Sequence, residues 1–465
     1  MKAGFFECDI TPPYGAECPG DFRKRRILKI CGPLKVRALA LTDGARKVAL
    51  VGADNVGCGP AFLQELKRRL PGIAVVFSAS HVHYGGNLYD KFPGIDTADA
   101  TIRRIVLEER VSHDPNYYEY CLRQAVTAVT FAFENLQEAE FSFGSARIEG
   151  LIFNRRIRMK DGTVRTHAGK GNPDSVGFAG PVDDQLGCMG VWKKGTDELL
   201  GFAFNFSCHS CINLEGASAD YAGIAIETVR AVYGSGIGAV FMYGAAGDVT
   251  QIDNMSMRKD MGRPVSVKLG RAVGAEAVRI LATADRGEVV RLECLSGMYR
   301  LRPTEIDPAE LQEARRKIQE PAVSADYRFA CHLVTSDIRL KAEPELLKAE
   351  LMALQVGPLL LYSAPCEMFA QFALDLKARS RFPFTWMANL SFLLCYIPTA
   401  DAFDPKTGGG YEASTALFVP ETGNEICQAL AGLAERLVPE AAPEPETVEP
   451  AVQAWGYNFK RKDMN

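Results

Sequence analysis

Apolar and polar positions along this chain repeat with two different periods, and they predict an alternation of strands and helices. Short apolar or alternating runs at Ala3–Ile10, Val36–Thr42, Lys47–Gly52, Phe141–Ile148, Leu186–Val191, Leu199–Phe206, Val240–Tyr243, Glu288–Tyr299, Leu359–Tyr362 and Leu390–Leu394 read as strands. Asp43-Gly44 between two such runs marks a hairpin. Helical spacing predicts helices at Leu63–Leu70, Tyr117–Asn135, Tyr221–Val232, Val267–Ala282, Pro308–Ile318, Pro344–Leu354 and Asn424–Leu437. The segment from Asn87 to Pro115 reads as an insertion, and Gly150–Gly180 as a long Gly-, Arg- and Lys-rich loop. The pattern predicts an α/β fold: mixed β-sheet with flanking helices, one domain over residues 1–438, and a Pro/Glu-rich tail over 439–465 that reads as disordered or a linker.

Four apolar strands run into a polar residue at their ends: His81, His209, Glu367 and Tyr396. Open α/β sheets place ligand sites at the C-terminal ends of strands, so this repetition predicts a site along one sheet edge. Its centre is Ser78-Ala79-Ser80-His81-Val82-His83-Tyr84-Gly85-Gly86, which holds two of the six histidines. In an extended segment residues i and i+2 point the same way, so His81 and His83 face one space. Neutral imidazole is a common zinc ligand, and a pair of hydrogen-bonded loop histidines is the alternative.

Composition narrows the class. The chain has 465 residues, a formal net charge of −4 and 24% charged residues, with no basic stripe, so nothing points to nucleic acid. No apolar run approaches the ~18 residues of a membrane span, and the N-terminus has no signal-peptide core. Thirteen scattered cysteines read as reduced, and Cys208–Cys211, the one CxxC pair, reads as core packing. A cytoplasmic protein acting on a small molecule is the expectation, with homo-oligomerisation left open. Asn154-Arg155-Arg156 is suited to anchoring a carboxylate or phosphate, a solvated basic loop being the alternative.

In order along the chain, Gly4-Phe5-Phe6-Glu7-Cys8-Asp9-Ile10-Thr11-Pro12, the His81–Gly86 loop, Asn154-Arg155, Asn205–His209, Ala219–Gly223, Gly247–Thr250, Pro365-Cys366-Glu367, Tyr396–Thr399 and Gly410–Thr415 resemble the catalytic domain of the neutral/alkaline ceramidase family. The resemblance implies one catalytic Zn2+ per chain, held by His81, His209, Glu367 and Tyr396. It also implies hydrolysis of an N-acyl amide, or a related ester or lactone, by zinc-bound water. His83 would polarise the scissile carbonyl or protonate the leaving group, and Thr250 keeps a hydroxyl where the family has Ser. Arg155, with Asn154 and Tyr84, would meet substrate, while Asp248 and Asp220 would orient the imidazoles. Three departures point away from ceramide itself towards a small polar or anionic substrate: Thr250-Gln251-Ile252 replaces Ser-Pro-Asn, Tyr84 stands where the family has Gly-Pro and would narrow a lipid channel, and the chain has no room for the C-terminal immunoglobulin-like domain. Arg155, Arg156 and Lys170 point the same way. A metal-free binding or structural protein, and a hydrolase with a Thr250 or Cys nucleophile, are the rival readings.

Overall fold

The computed structural model describes residues 1–212 and 215–445. Eight strands form the path of a large mixed sheet: β1 Lys2–Asp9, β2 Lys35–Thr42, β3 Lys47–Ala53, β4 Ala74–Ala79, β5 Gln137–Arg147, β6 Gln185–Lys193, β7 Leu199–Phe206 and β8 Gly238–Tyr243. Their order is β8-β7-β6-β5-β1-β2-β3-β4. The pairs β3–β4 and β7–β8 are parallel and the others antiparallel. A second sheet, in sequence order, holds β9 Leu292–Arg300, β10 Lys348–Val356, β11 Leu359–Ser363 and β12 Phe384–Ala388, with β11–β12 parallel. The Asp43-Gly44 turn forms as expected. Gly44 takes a positive φ of 97° and the Asp43 carboxylate accepts from the amides of Ala45 and Arg46.

Period-two alternation makes the layers. On β2, Leu39 and Leu41 face a core shared only by the two sheets, with Leu50, Val76, Met242, Leu354 and Leu361. Ala38 and Ala40 point to the other side, into the helix-covered core. There lie α1 Pro60–Arg69, α2 Pro115–Glu134, α3 Asp220–Tyr233 and α4 Arg263–Thr283. α5 Pro308–Lys317 and α6 Ala325–Ala342 stand aside, while α7 Ala370–Arg379 and α8 Thr422–Ala434 cover the outer face of the second sheet. The result is a helix–sheet–sheet–helix sandwich, in which strands buried on both faces read as continuous apolar runs.

The large sheet curls until β8 passes close to β3 and β4. A Cβ on Gly52 would lie 2.6 Å from the Phe241 carbonyl, so only glycine fits there. Ser78 at the end of β4 ties three strands together, accepting from Tyr243 N–H (3.0 Å) and donating to the Asn389 carbonyl (2.8 Å). Asn205 Nδ2 donates to the carbonyls of Met242 (2.7 Å) and Met387 (3.0 Å). These buried bonds gather the C-terminal ends of β4, β7, β8 and β12.

Four expectations are corrected. Lys348–Val356 is a central strand, not a helix, because its Ala, Leu and Met positions are buried in cores on both faces. The second-sheet strand is Phe384–Ala388 rather than Leu390–Leu394, since Leu390 takes a φ of +57° that ends it. Within Gly150–Gly180 sits a three-stranded sheet of Arg156–Met159, Val164–Thr166 and Ser175–Phe178. The start of the tail is docked: Glu440 accepts from the amides of Val290 (3.1 Å) and Arg291 (3.0 Å). The rest of the tail, residues 446–465, lies outside the described residues.

Candidate metal centre

Two loops zip together where β4 and β7 end. Val82 and Ser210 form a parallel bridge, His83 N–H donates to the Ser210 carbonyl (3.1 Å), and Ser210 Oγ donates to the Ser80 carbonyl (2.8 Å). His81 sits in the left-handed region at φ 60°, so the segment is kinked rather than extended. That conformation costs about 1–2 kcal/mol for a non-glycine residue and is held by amide bonds on both sides: Ser80 N–H to Ala53 O (2.9 Å) and Val82 N–H to Asn55 O (3.0 Å). The expected outcome survives by another route, with the Nε2 atoms of His81 and His83 3.2 Å apart. Cys366, at φ 63°, makes the matching kink before Glu367, which pairs in parallel register with Tyr396.

Each imidazole turns Nδ1 to a backbone carbonyl: His81 to Val56 (2.8 Å), His83 to Gly20 (2.9 Å) and His209 to Ala246 (2.7 Å). A carbonyl only accepts, so each Nδ1 carries the proton and each Nε2 presents a lone pair. Glu367 Oε2 lies 3.0 Å from His81 Nε2 and 3.2 Å from His209 Nε2, and has no hydrogen-bond partner. The ligand atoms of His81, His83 and His209 all lie within 4.8 Å of one another. Lone pairs and a carboxylate facing one buried point repel unless a cation lies among them. Donors about 2.0–2.1 Å from a tetrahedral zinc are about 3.3 Å apart, close to the spacing here. The donor set therefore fits a divalent metal.

The charges agree. Burial and the neighbouring Arg155 guanidinium hold His209 down to about 3, and burial with the adjacent His81 and His209 keeps His83 neutral. Burial opposes the Glu367 charge, and its carboxyl is held well below the usual range only by positive charge at His81 and His209. With both Nε2 atoms unprotonated, a metal cation is what would supply that charge. Burial, reinforced by Glu367, pushes the Tyr396 phenol well up.

The other expected residues fall into two groups. Arg155 is at the centre: Nη1 is 3.1 Å from His209 Nε2, Nε donates to Glu412 (2.6 Å), the guanidinium lies 5.3 Å from the Tyr396 ring centre, and the buried Nη2 has no partner. Asn154 is instead bonded to Asp248 (2.6 Å) and the Pro181 carbonyl. Asp248 also accepts from Ala370 N–H, and Asp220 accepts from Tyr221 N–H and Ser266 Oγ. Neither acid is needed to orient the imidazoles, because backbone carbonyls already hold each Nδ1. Thr250 is buried and accepts from Ile252 N–H at 3.2 Å. Tyr84 lies under the Arg25 guanidinium, 4.7 Å from ring centre, outside the lining of the cavity described below. Its ring does not narrow that cavity, so the argument it gave against a lipid substrate lapses. Arg156 donates to the Gly409 carbonyl and Lys170 to Asp260, so these loop cations are taken up internally.

A cavity of about 810 Å³ opens on His81, His83, Glu367 and Tyr396. Much of its wall comes from the Asn87–Pro115 insertion and α6, including Phe92, Ile95 and Val106 from a satellite apolar cluster. Sequence reasoning missed the orienting carbonyls of Val56 and Ala246, which carry no side-chain signal. Glu412 was visible inside the Gly410–Thr415 stretch, but its pairing with Arg155 across 257 residues was not.

No family model matches this chain, and no curated protein matches it. Solved structures do. A crystal structure of neutral ceramidase from Pseudomonas aeruginosa has a TM-score of 0.67 at 18% identity, covering 95% of this chain and 76% of that one. A structure described as ceramidase complexed with C2 has a TM-score of 0.69 at 18% identity, covering 95% and 77%. The chain has the neutral ceramidase fold, as the motif order led us to expect. No helix among the described residues is long and apolar enough to cross a membrane.

Proposed function

We propose that this chain is a zinc-dependent amidohydrolase that cleaves the N-acyl amide, or a related ester or lactone, of a small-molecule substrate bearing a polar or anionic group. The observation that carries this reading is the convergence of three Nε2 lone pairs and the unpartnered Glu367 Oε2 on one buried point at the floor of a cavity. His81, His209, Glu367 and Tyr396 would hold one Zn2+ per chain. A divalent metal there supplies a Lewis acid and a water of pKa near ~7.

The chain's own groups do the rest. Arg155 Nη2, buried and unpartnered, is free to donate to the carbonyl oxygen as it gains charge. The Tyr396 phenol, a weak neutral ligand, would become a second donor to that oxygen on leaving the metal. His83, neutral with Nε2 facing the same point, takes a proton as water adds and returns it to the departing nitrogen. The apolar wall admits an acyl chain, so ceramide is not set aside. A cytoplasmic setting is supported by thirteen cysteines, all free thiols.

The Thr250 or Cys nucleophile is not favoured. No imidazole among the described residues bonds to Thr250, and burial pushes the thiols of Cys208 and Cys395 well up, away from nucleophilic thiolate. The test is metal content per chain of protein purified without a His-tag or added metal, beside Glu367→Ala. About one zinc in wild type, absent from the variant together with amidase activity, is expected. Activity that persists without metal overturns the reading.

A further inference from the structure

The cavity lining contains three guanidinium groups that the chemistry above does not use. Arg103 donates from Nη1 to the Ile95 and Asp96 carbonyls (3.2 and 3.3 Å) of its own segment, which leaves Arg110 and Arg339 facing each other across the wall. Arg110, at the end of the π-helical turn Ile105–Glu109, donates from Nη1 to Thr335 Oγ1 (3.0 Å) and from Nη2 to the Arg328 carbonyl (3.4 Å), both neutral acceptors. Arg339, on α6, lies over the Phe92 ring at 5.5 Å. No carboxylate among the described residues lies within 4.0 Å of either guanidinium. Nearby arginines are treated otherwise: Arg104 pairs with Glu109 and Arg315 with Asp337. Of the acids in the same lining, Asp21 is already ion-paired with Arg23 and Asp96 with Lys91, whereas Asp90 has neutral donors only, Ala61 N–H and the Tyr118 hydroxyl.

Burial depresses the Arg110 pKa, and the like charge of Arg339 adds to the effect. Glu109 acts on Arg110, and Asp90 and Glu343 on Arg339, only from beyond ion-pair reach, so two like-charged groups in one cavity wall are an arrangement an anionic ligand would relieve. The wall that carries them is continuous with the metal centre. The Arg110 guanidinium lies 5.8 Å from the Phe22 ring, Phe22 lies 5.8 Å from Tyr411, and Tyr411 lies 5.4 Å from Tyr396. Apolar side chains, among them Val106 and Leu394, fill out the lining.

We infer that Arg110 and Arg339 form an anion subsite, which selects an amide substrate carrying a carboxylate or phosphate beyond an apolar stretch. This places the anion-binding role on the insertion and α6, away from the Arg155 loop. The inference rests on the hydrolase reading for the word substrate, while the subsite itself can be tested without turnover.

The experiment is calorimetric titration of chelator-treated and as-purified full-length protein with three probes: N-octanoylglycine, octyl phosphate, and the neutral primary amide of N-octanoylglycine. At least one anionic probe should bind tenfold or more tightly than the neutral amide, and whether carboxylate or phosphate wins identifies the group. Arg339→Gln should remove most of that preference and leave neutral-probe binding unchanged, with Arg339→Lys retaining part of it. Arg110→Lys tests the second cation without deleting a buried charge, and melting temperatures report folding. Equal binding of all three probes, or equal losses for all three in the variants, overturns the subsite. Arginine-dependent anion binding by a protein without metal or amidase activity would keep the subsite and sink the hydrolase reading. Metal-dependent cleavage of neutral amides, indifferent to Arg339, would do the reverse.

Discussion

Ser78 offers the sharpest test of how the strand ends are held, because a neighbouring serine serves as its control. Its buried hydroxyl accepts from Tyr243 N–H and donates to the Asn389 carbonyl, joining β4, β8 and β12 three residues before His81. Ser78→Ala leaves one amide and one carbonyl buried without partners. At about 1–3 kcal/mol each, less the relief of no longer desolvating the hydroxyl, the loss should be about 3 kcal/mol. Ser80 is equally buried, but its Oγ has no hydrogen-bond partner. Ser80→Ala removes an unsatisfied group and should be neutral or slightly stabilising. Urea unfolding followed by tryptophan fluorescence reads both, since Trp386 is buried between the sheets. An unchanged slope with a lower midpoint locates the effect in the folded state. Because His81 hangs from the same strand, metal affinity should also fall by about tenfold in Ser78→Ala, the usual scale for groups that orient ligands. A Ser78→Ala loss below about 1 kcal/mol, or equal losses for the two serines, would refute the idea that this hydroxyl fastens the strands.

Two further outcomes follow from single positions. A Cβ on Gly247 would lie 2.6 Å from the Glu367 carbonyl oxygen, so Gly247→Ala must move the backbone that presents Glu367; we expect about 1–3 kcal/mol of destabilisation and weaker metal retention, read by urea midpoint and metal titration, and unchanged values would contradict the packing. His332 is held down to about 4 by burial and by the Arg110 charge, so between pH 6.5 and 4 the unfolded chain binds a proton that the folded chain does not. That contribution is intact above pH 6.5 and is lost as pH falls, amounting to about 2 kcal/mol at pH 5; His332→Gln should lose correspondingly less stability between pH 7 and pH 5, and parallel losses would exclude the effect.

Much of the candidate site was legible because its residues stand where apolar runs stop. His81, His209 and Glu367 each follow a strand or its turn, and a strand too apolar to be exposed delivers the polar residues after it to an end of the sheet. Tyr396 arrives instead from the irregular segment after Ala388, whose apolar run is not a strand. What decides their geometry was not legible, because it lies in the backbone and in pairings across the chain. The Nδ1 partners are carbonyls of Val56, Gly20 and Ala246, which any residue could supply. The φ of +60° at His81 defeats the alternation rule locally, although the two rings still meet.

Charge was the least transferable signal. Arg156 and Lys170 looked available to a ligand because their partners, the Gly409 carbonyl and Asp260, are remote in sequence, while Arg155 keeps only its Nη2 free beside Glu412. Arg110 and Arg339 drew no notice because they lie among other charges, at Glu108–Glu109 and on a helix that the pattern did not predict. A cation's usefulness to a ligand depends on whether the fold has already neutralised it, and one-dimensional spacing carries no information about that. A carboxylate within ion-pair reach turns an arginine into a strut, whereas an arginine held by hydroxyl and carbonyl acceptors keeps its charge for an incoming group. By that criterion the insertion around Asn87–Pro115, which the sequence marked only as extra length, becomes the part of the molecule where substrate choice is made.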